Sequence, residues 1–209
     1  MSAHAIRIDA IRRALLPLDE IPSGAPWNQA ELEGLLPRDG ALVTAAVLVG
    51  LLPRPDALTV LLTLRTDELR NHAGQVSFPG GRVEATDPGP AAAALREARE
   101  EIGLPPAQVE PLGWLDPLVT ITGFRVLPLV GLVHGNAEPV PDPREVAAVF
   151  EVPLAHLLAP SNLRRVPIDY LGRTRYVLEY LPHDGGARIW GATASMLHNF
   201  MERMGGRAS

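Results

Sequence analysis

Apolar residues recur along the chain with two periods, and the periods divide it into elements. From residue 90 to 104 the recurrence is helical. Ala91, Ala94, Leu95, Ala98 and Ile102 share one face when the segment is wound at about 100° per residue. Asp87-Pro88 or Gly89-Pro90 supplies a start, and Gly103 before Pro105-Pro106 supplies a stop. A second stripe, Ile189, Ala192, Thr193, Met196, Leu197, Phe200 and Met201, predicts a C-terminal helix. Ile6, Ile11, Leu15 and Leu16, set against Arg12 and Arg13, predict a short amphipathic helix over residues 4–16. Strand patterns occupy Ala41–Val49 and Ala57–Arg65, with a turn over 51–56 between them. Further strands are predicted at Gln75–Phe78, Val109–Val119, Phe124–Val133 and Arg173–Leu181, with a strand end and short helix at 152–158. Residues 17–40, rich in Pro and Gly, with Trp27 and a brief helical piece near 28–36, read as an arm that packs on the domain or on a second subunit, plain surface packing being the simpler of the two. Residues 135–144 read as a loop, and no internal repeat is visible.

Composition narrows the chemistry. A chain of 209 residues, 46% hydrophobic and 21% charged, suits one soluble domain with a sizeable core and some length left for additions. A net charge of −5 argues against general nucleic-acid binding, which needs a basic stripe. Cys is absent, which removes disulfides and thiolate chemistry. Lys is absent too, and all 19 basic residues are Arg, so no Lys nucleophile, Schiff base or P-loop exists. A phosphate clamp must therefore use Arg, backbone N–H groups or a metal. The N-terminus lacks a secretory pattern, and the longest apolar run, Ala41–Leu52, is too short to span a bilayer. These features predict a cytoplasmic protein.

The 90–104 helix carries the candidate chemistry. Glu97, Glu100 and Glu101 fall on one flank, at i, i+3 and i+4, with Arg96 and Arg99 expected on the other. Like charges at these spacings cost roughly 0.2–0.5 kcal/mol a pair in an isolated helix. Taken alone, the three acids describe a solvated face. Set after Gly80-Gly81, where the backbone can approach a ligand closely, they also describe a site for a hard divalent cation, which takes oxygen ligands.

These residues resemble the Nudix box. Arg96-Glu97-Ala98-Arg99-Glu100-Glu101-Ile102-Gly103-Leu104 matches its second half at every fixed position. The spacing from Gly81 to Arg96 is one residue longer than in the box, and Asp87 stands where its first Glu is expected. Upstream, Leu61-Leu62-Thr63-Leu64-Arg65-Thr66, Arg70, Gly74 and Phe78-Pro79-Gly80-Gly81 resemble the signature of the coenzyme A pyrophosphatase subfamily, with Thr66 the single departure. The resemblance implies an α/β Nudix fold, a mixed β-sheet sandwiched between helices, over residues 41–209, with residues 1–40 as an extension. It implies Mg²⁺ or Mn²⁺ held by Glu97, Glu100 and Glu101, with the Gly81 carbonyl as a further oxygen. Catalytic candidates are Glu97, Glu100 and Glu145, a late loop glutamate; the general base is open between Glu97 and Glu145. Arg65, Arg70, Gly80 and Gly81 are the expected contacts to the substrate's phosphates, with His72 in the same loop. Arg96 is expected to orient a carboxylate, and Asp87 to cap the helix. The implied substrate is coenzyme A or a thioester of it, cut to 3′,5′-ADP and 4′-phosphopantetheine. ADP-ribose, NADH or a dinucleoside polyphosphate is the alternative, and a Nudix-fold binding module without turnover is the alternative of another class. The expected partner is this small molecule, with neither nucleic acid nor membrane, and a homodimer is what related enzymes imply.

Overall fold

The computed structural model describes residues 8–32, 35–36, 42–67, 73–135, 137–170 and 172–205, apart from the Arg173 side chain. In chain order its elements are α1 (Ile8–Ala14), β1 (Val43–Pro53), β2 (Leu58–Arg65), β3 (Val76–Ser77), β4 (Gly80–Arg82) and α2 (Pro90–Ile102). There follow β5 (Val109–Trp114), β6 (Leu118–Val119), β7 (Phe124–Val133), β8 (Val146–Pro153), α3 (Leu154–Leu157), β9 (Leu163–Tyr170), β10 (Arg173–Tyr180) and α4 (Gly191–Arg203).

Strand β1 is the spine. β7 runs parallel beside it from Val43 opposite Phe124 to Leu51 opposite Leu132. β2 and β4 pair with it antiparallel, so the main sheet is mixed. β3 and β8 extend the β2 side, and β5 and β6 extend the β7 side. A separate hairpin, β9–β10, forms a second small sheet.

Alternation along the spine fills two cores. Ala45, Val49 and Leu51 face one, with Val60 and Leu62 of β2 and Val126 and Val130 of β7. That face is covered by α1 through Ile11, α3 through Leu154 and Leu157, and α4 through Ala194, Leu197 and Phe200. Ala46, Leu48 and Leu52 face the other, under Ala93, Ala94, Ala98 and Ile102 of α2. Both faces of the sheet are thus closed by helices, which is the α/β/α arrangement expected. A sheet buried on both sides reads as a near-continuous apolar run, as Val43–Leu52 does.

Two boundaries and one strand differ from expectation. β1 continues through Pro53, because Leu51, Leu52 and Pro53 pair with Val60, Thr59 and Leu58; the turn starts only after them. The 109–119 run breaks at Leu115–Pro117 into β5 and β6, both paired to β7. β9 was not predicted. The arm packs on the domain: Asn28 bonds both the N–H and the carbonyl of Val119, and Trp27 Nε1 donates to Glu202 at 3.0 Å. Among the described residues no helix is long and apolar enough to cross a membrane.

Candidate active site at the acidic helix

Helix α2 opens at Gly89-Pro90 and closes at Gly103, whose left-handed backbone (φ 66°) lets its N–H reach the Arg99 carbonyl. Its apolar stripe fixes its rotation on the sheet, and that rotation turns Glu101 inward. Glu101 is 4% exposed.

The glycine pair comes to this carboxylate as a strand, β4, rather than as the loop its composition indicated. Gly80 lies opposite Val47 and Gly81 opposite Ala46. A Cβ on Gly80 would stand 2.5 Å from the Ala46 carbonyl oxygen and 2.6 Å from Val47 Cα. A Cβ on Gly81 would stand 2.3 Å from Glu97 Oε1. Gly80 needs glycine because the backbone of the spine lies against it, whereas at Gly81 the space is taken by the end of the Glu97 side chain. The Gly80 N–H donates to Glu101 Oε2 at 3.1 Å, and Arg65 Nη1 lies 3.7 Å from Glu101 Oε1. Against these two favourable contacts, burial pushes the Glu101 carboxyl up to about 7, and repulsion from Glu97 and Glu145 adds to the rise.

Glu97 is half-buried over Gly81. Burial raises its pKa, with the Glu100 and Glu145 charges adding and Arg96 opposing. Glu145 is exposed on its loop, and its backbone carbonyl accepts the Thr66 N–H at 3.0 Å, which ties that loop to the end of β2. Among the described residues no hydrogen bond reaches the Glu145 carboxylate. Its charge nonetheless acts on both Glu97 and Glu101, which places the three acids in one electrostatic cluster.

Arg96 does not lie on the flank opposite the acids. Its Nη1 donates to Glu97 Oε1 and to Glu100 Oε2, each at 3.0 Å. Arg96 and Glu100 are i, i+4 neighbours, and a long side chain spans the turn between them. Nor does Asp87 cap the helix. It takes Arg96 Nε at 3.0 Å and Nη2 at 3.1 Å, and it accepts the Glu84 N–H. The Arg96 hydrogen bonds hold Asp87 below the usual carboxylate range. The residue standing near the box's first acidic position is therefore bound to a guanidinium that also holds Glu97 and Glu100. Arg70 and His72 lie outside the described residues.

On the opposite face of the sheet a cavity of about 680 Å³ opens beside Arg65, Gly80, Gly81 and Arg82. Phe78 and Val126 from the sheet, Met196 from α4 and Leu178 from the hairpin form apolar wall. No sequence signal located it, because its walls come from segments more than a hundred residues apart.

The donors at the acidic patch are all oxygen. The Glu97 and Glu101 carboxyls are held against their own ionisation first by burial, with the charges of neighbouring acids adding, a situation that a hard divalent cation relieves. The donor chemistry thus fits Mg²⁺ or Mn²⁺ and not a softer ion. Among the described residues no three Asp, Glu or His groups are gathered as a ready-made cage, since Glu100 turns outward to Arg96.

Comparison with known proteins places this geometry. The NUDIX domain profile matches residues 42–171. The Klebsiella pneumoniae (strain 342) protein called "Uncharacterized Nudix hydrolase NudL" is 38% identical over 208 residues, covering 99% of this chain and 100% of its own. The protein of the same name from Salmonella paratyphi B (strain ATCC BAA-1250 / SPB7) is 42% identical over 147 residues, 70% of this chain and 75% of its own. In fold, the chain is similar to the MutT protein from Methanosarcina mazei Go1, with a TM-score of 0.51 and 19% identity, over 81% of this chain and 96% of that one. With its acidic helix set against the glycine strand, the chain belongs to the Nudix hydrolase family.

Proposed function

We propose that the protein is a divalent-metal-dependent pyrophosphatase that hydrolyses the diphosphate of coenzyme A and its thioesters, giving 3′,5′-ADP and 4′-phosphopantetheine. One observation carries this reading. The segment resembling the coenzyme A pyrophosphatase signature brings Arg65 and Gly80 onto the buried carboxylate of Glu101, at 3.7 and 3.1 Å, on the rim of a roomy, largely apolar cavity. A diphosphate at that rim would leave the cavity for the rest of the molecule.

Glu97, Glu100 and Glu101 would hold Mg²⁺ or Mn²⁺, with the Gly81 carbonyl as a further oxygen donor. When bound, the ion neutralises phosphoryl oxygens and makes water more acidic. The remaining work belongs to the chain. Arg65 would face the diphosphate as a bidentate donor. Arg96 keeps Glu97 and Glu100 in place and is itself fixed by Asp87. Water adds to one phosphorus, the bridging P–O bond breaks, and each half leaves as a phosphate monoester. A carboxylate takes the proton released by the water. Glu145 suits this role better than Glu97, whose Oε1 is already engaged by Arg96.

A substrate profile with Mg²⁺ and Mn²⁺ tests the reading. The expected result is a higher kcat/KM for coenzyme A than for ADP-ribose, NADH or dinucleoside polyphosphates. A higher value on ADP-ribose overturns the substrate. No metal-dependent phosphate release from any of them overturns catalysis and favours a binding module.

A further inference from the structure

Two arginines that line the same cavity each have one buried guanidinium nitrogen without a partner among the described residues. Among the described residues, Nε of Arg65 and Nε of Arg175 are shut off from solvent and make no hydrogen bond. Both side chains line the cavity. Buried donors are almost always paired, so an unpaired one calls for a partner that binds there.

The two stand on different walls. Arg65 ends β2, against Glu101 of α2. Arg175 belongs to β10, opposite Ile168 of β9, in the hairpin that packs on α4. Other charged groups of the hairpin region are already committed. Arg164 and Arg188 clamp Glu179, and the Arg165 guanidinium lies 5.3 Å over the Tyr176 ring. Among the described residues no carboxylate forms an ion pair with Arg175. The cavity as a whole carries Arg65, Arg82, Arg165 and Arg175 against one carboxylate, Glu31, in a chain whose net charge is −5. A ligand that answers this wall pattern has anionic groups at two separate points.

We propose that Arg175 binds a phosphate of the substrate other than the scissile diphosphate, so that the enzyme selects nucleotides that carry a phosphate on the ribose as well. The proposal rests on the reading of the Arg65 end as the diphosphate site. Guanidinium is suited to the role because its planar fork matches two phosphate oxygens at once.

The test is titration calorimetry on the full chain with two probes, adenosine 3′,5′-bisphosphate and adenosine 5′-monophosphate. The wild type is expected to bind the bisphosphate about tenfold more tightly, the size of one charge-assisted contact. R175Q is expected to bind both probes alike, with an unchanged melting temperature. R175K, which keeps the charge but loses the fork, is expected to fall between. In turnover, R175Q raises KM for coenzyme A and leaves KM for its 3′-dephospho form and both kcat values in place. A wild type that does not discriminate the two probes overturns the proposal, and so does an R175Q that keeps the full preference. Should R175Q melt early, R175K decides: an intermediate preference supports the assignment and an unchanged one overturns it. Failure of the coenzyme A reading is a separate result, namely discrimination between the probes without hydrolysis of coenzyme A.

Discussion

Glu101 and Glu179 are the same residue at the same exposure, 4% each, in opposite circumstances. Glu179 is clamped: Arg164 donates to one oxygen at 2.6 Å, and Arg188 donates to the other at 2.9 and 2.6 Å. Those arginines are themselves about half exposed (53% and 51%), so Glu179 is covered by its partners at the surface of a hairpin rather than sunk in the core. The Arg188 hydrogen bonds, with those from Arg164, overcome what burial costs and hold its carboxyl below the ordinary value of 4.5. Glu101 is sunk under α2 with one N–H and one guanidinium at 3.7 Å, and two further acids act against it. A structural carboxylate is satisfied by the chain around it. An unsatisfied one points to something the chain binds.

The comparison breaks most readily in activity. Glu101→Gln and Glu100→Gln are each expected to cut kcat by about a hundredfold or more, with circular dichroism unchanged. Near-normal turnover at saturating Mg²⁺ in either would remove that residue from the ligand set. Glu179→Gln should leave kcat within about twofold. Next comes Gly81→Ala. The new methyl must push the Glu97 carboxylate aside, and since that is the end of a flexible side chain the fold survives while activity falls about tenfold. Loss of the fold instead, seen by melting, would show that the glycine serves packing alone.

In stability the order reverses. Glu179→Gln leaves two half-exposed arginines without their acceptor, a loss of about 1–2 kcal/mol after allowance for solvent screening. Thermal melting should register it as a fall of roughly 2–6 °C. The smallest effects are slopes with pH, and they carry opposite signs. Glu101 has its pKa raised from 4.5 to about 7. In metal-free protein the unfolded chain loses this proton first, so stability declines as pH rises from 4.5 to about 7 and then levels. Glu179 is depressed, so its contribution is complete above 4.5 and is lost as pH falls through its folded value. Chemical denaturation in chelator across this range should show both slopes, with Glu101→Gln reducing the first, to which Glu97 also contributes, and Glu179→Gln reducing the second, which it shares with depressed carboxyls such as Asp116 and Glu151.

Much of the site was legible because its residues are local in sequence. The apolar stripe of α2 fixes where Glu97, Glu100 and Glu101 project, and Gly80-Gly81 signals a close backbone approach. What escaped the sequence is what depends on a partner from elsewhere. Arg96 was placed on the wrong flank because rotation about the helix axis ignores how far a guanidinium reaches, and Asp87 reached it from a loop. β9 escaped because Arg164, Arg165 and Pro167 interrupt its apolar alternation. A proline is tolerated there because the hairpin is a two-stranded sheet with open edges. In sequence Arg175 is one position of an alternating strand; its unpaired Nε exists only once the chain folds around it.

The bonds of Asn28 to Val119, and the docking of Trp27 onto Glu202, have a practical outcome. The family match begins at residue 42 and ends at 171, which is inside the β9–β10 hairpin. A chain trimmed to those limits would keep Glu97, Glu100, Glu101 and Glu145. It would discard Asn28 and Glu31 from one side of the cavity, and Arg175 and Met196 from another. Such a fragment would also lose Ile11, Leu197 and Phe200, which cover one face of the sheet, and is expected to melt far below the full chain, so substrate surveys are informative only with these flanking segments present.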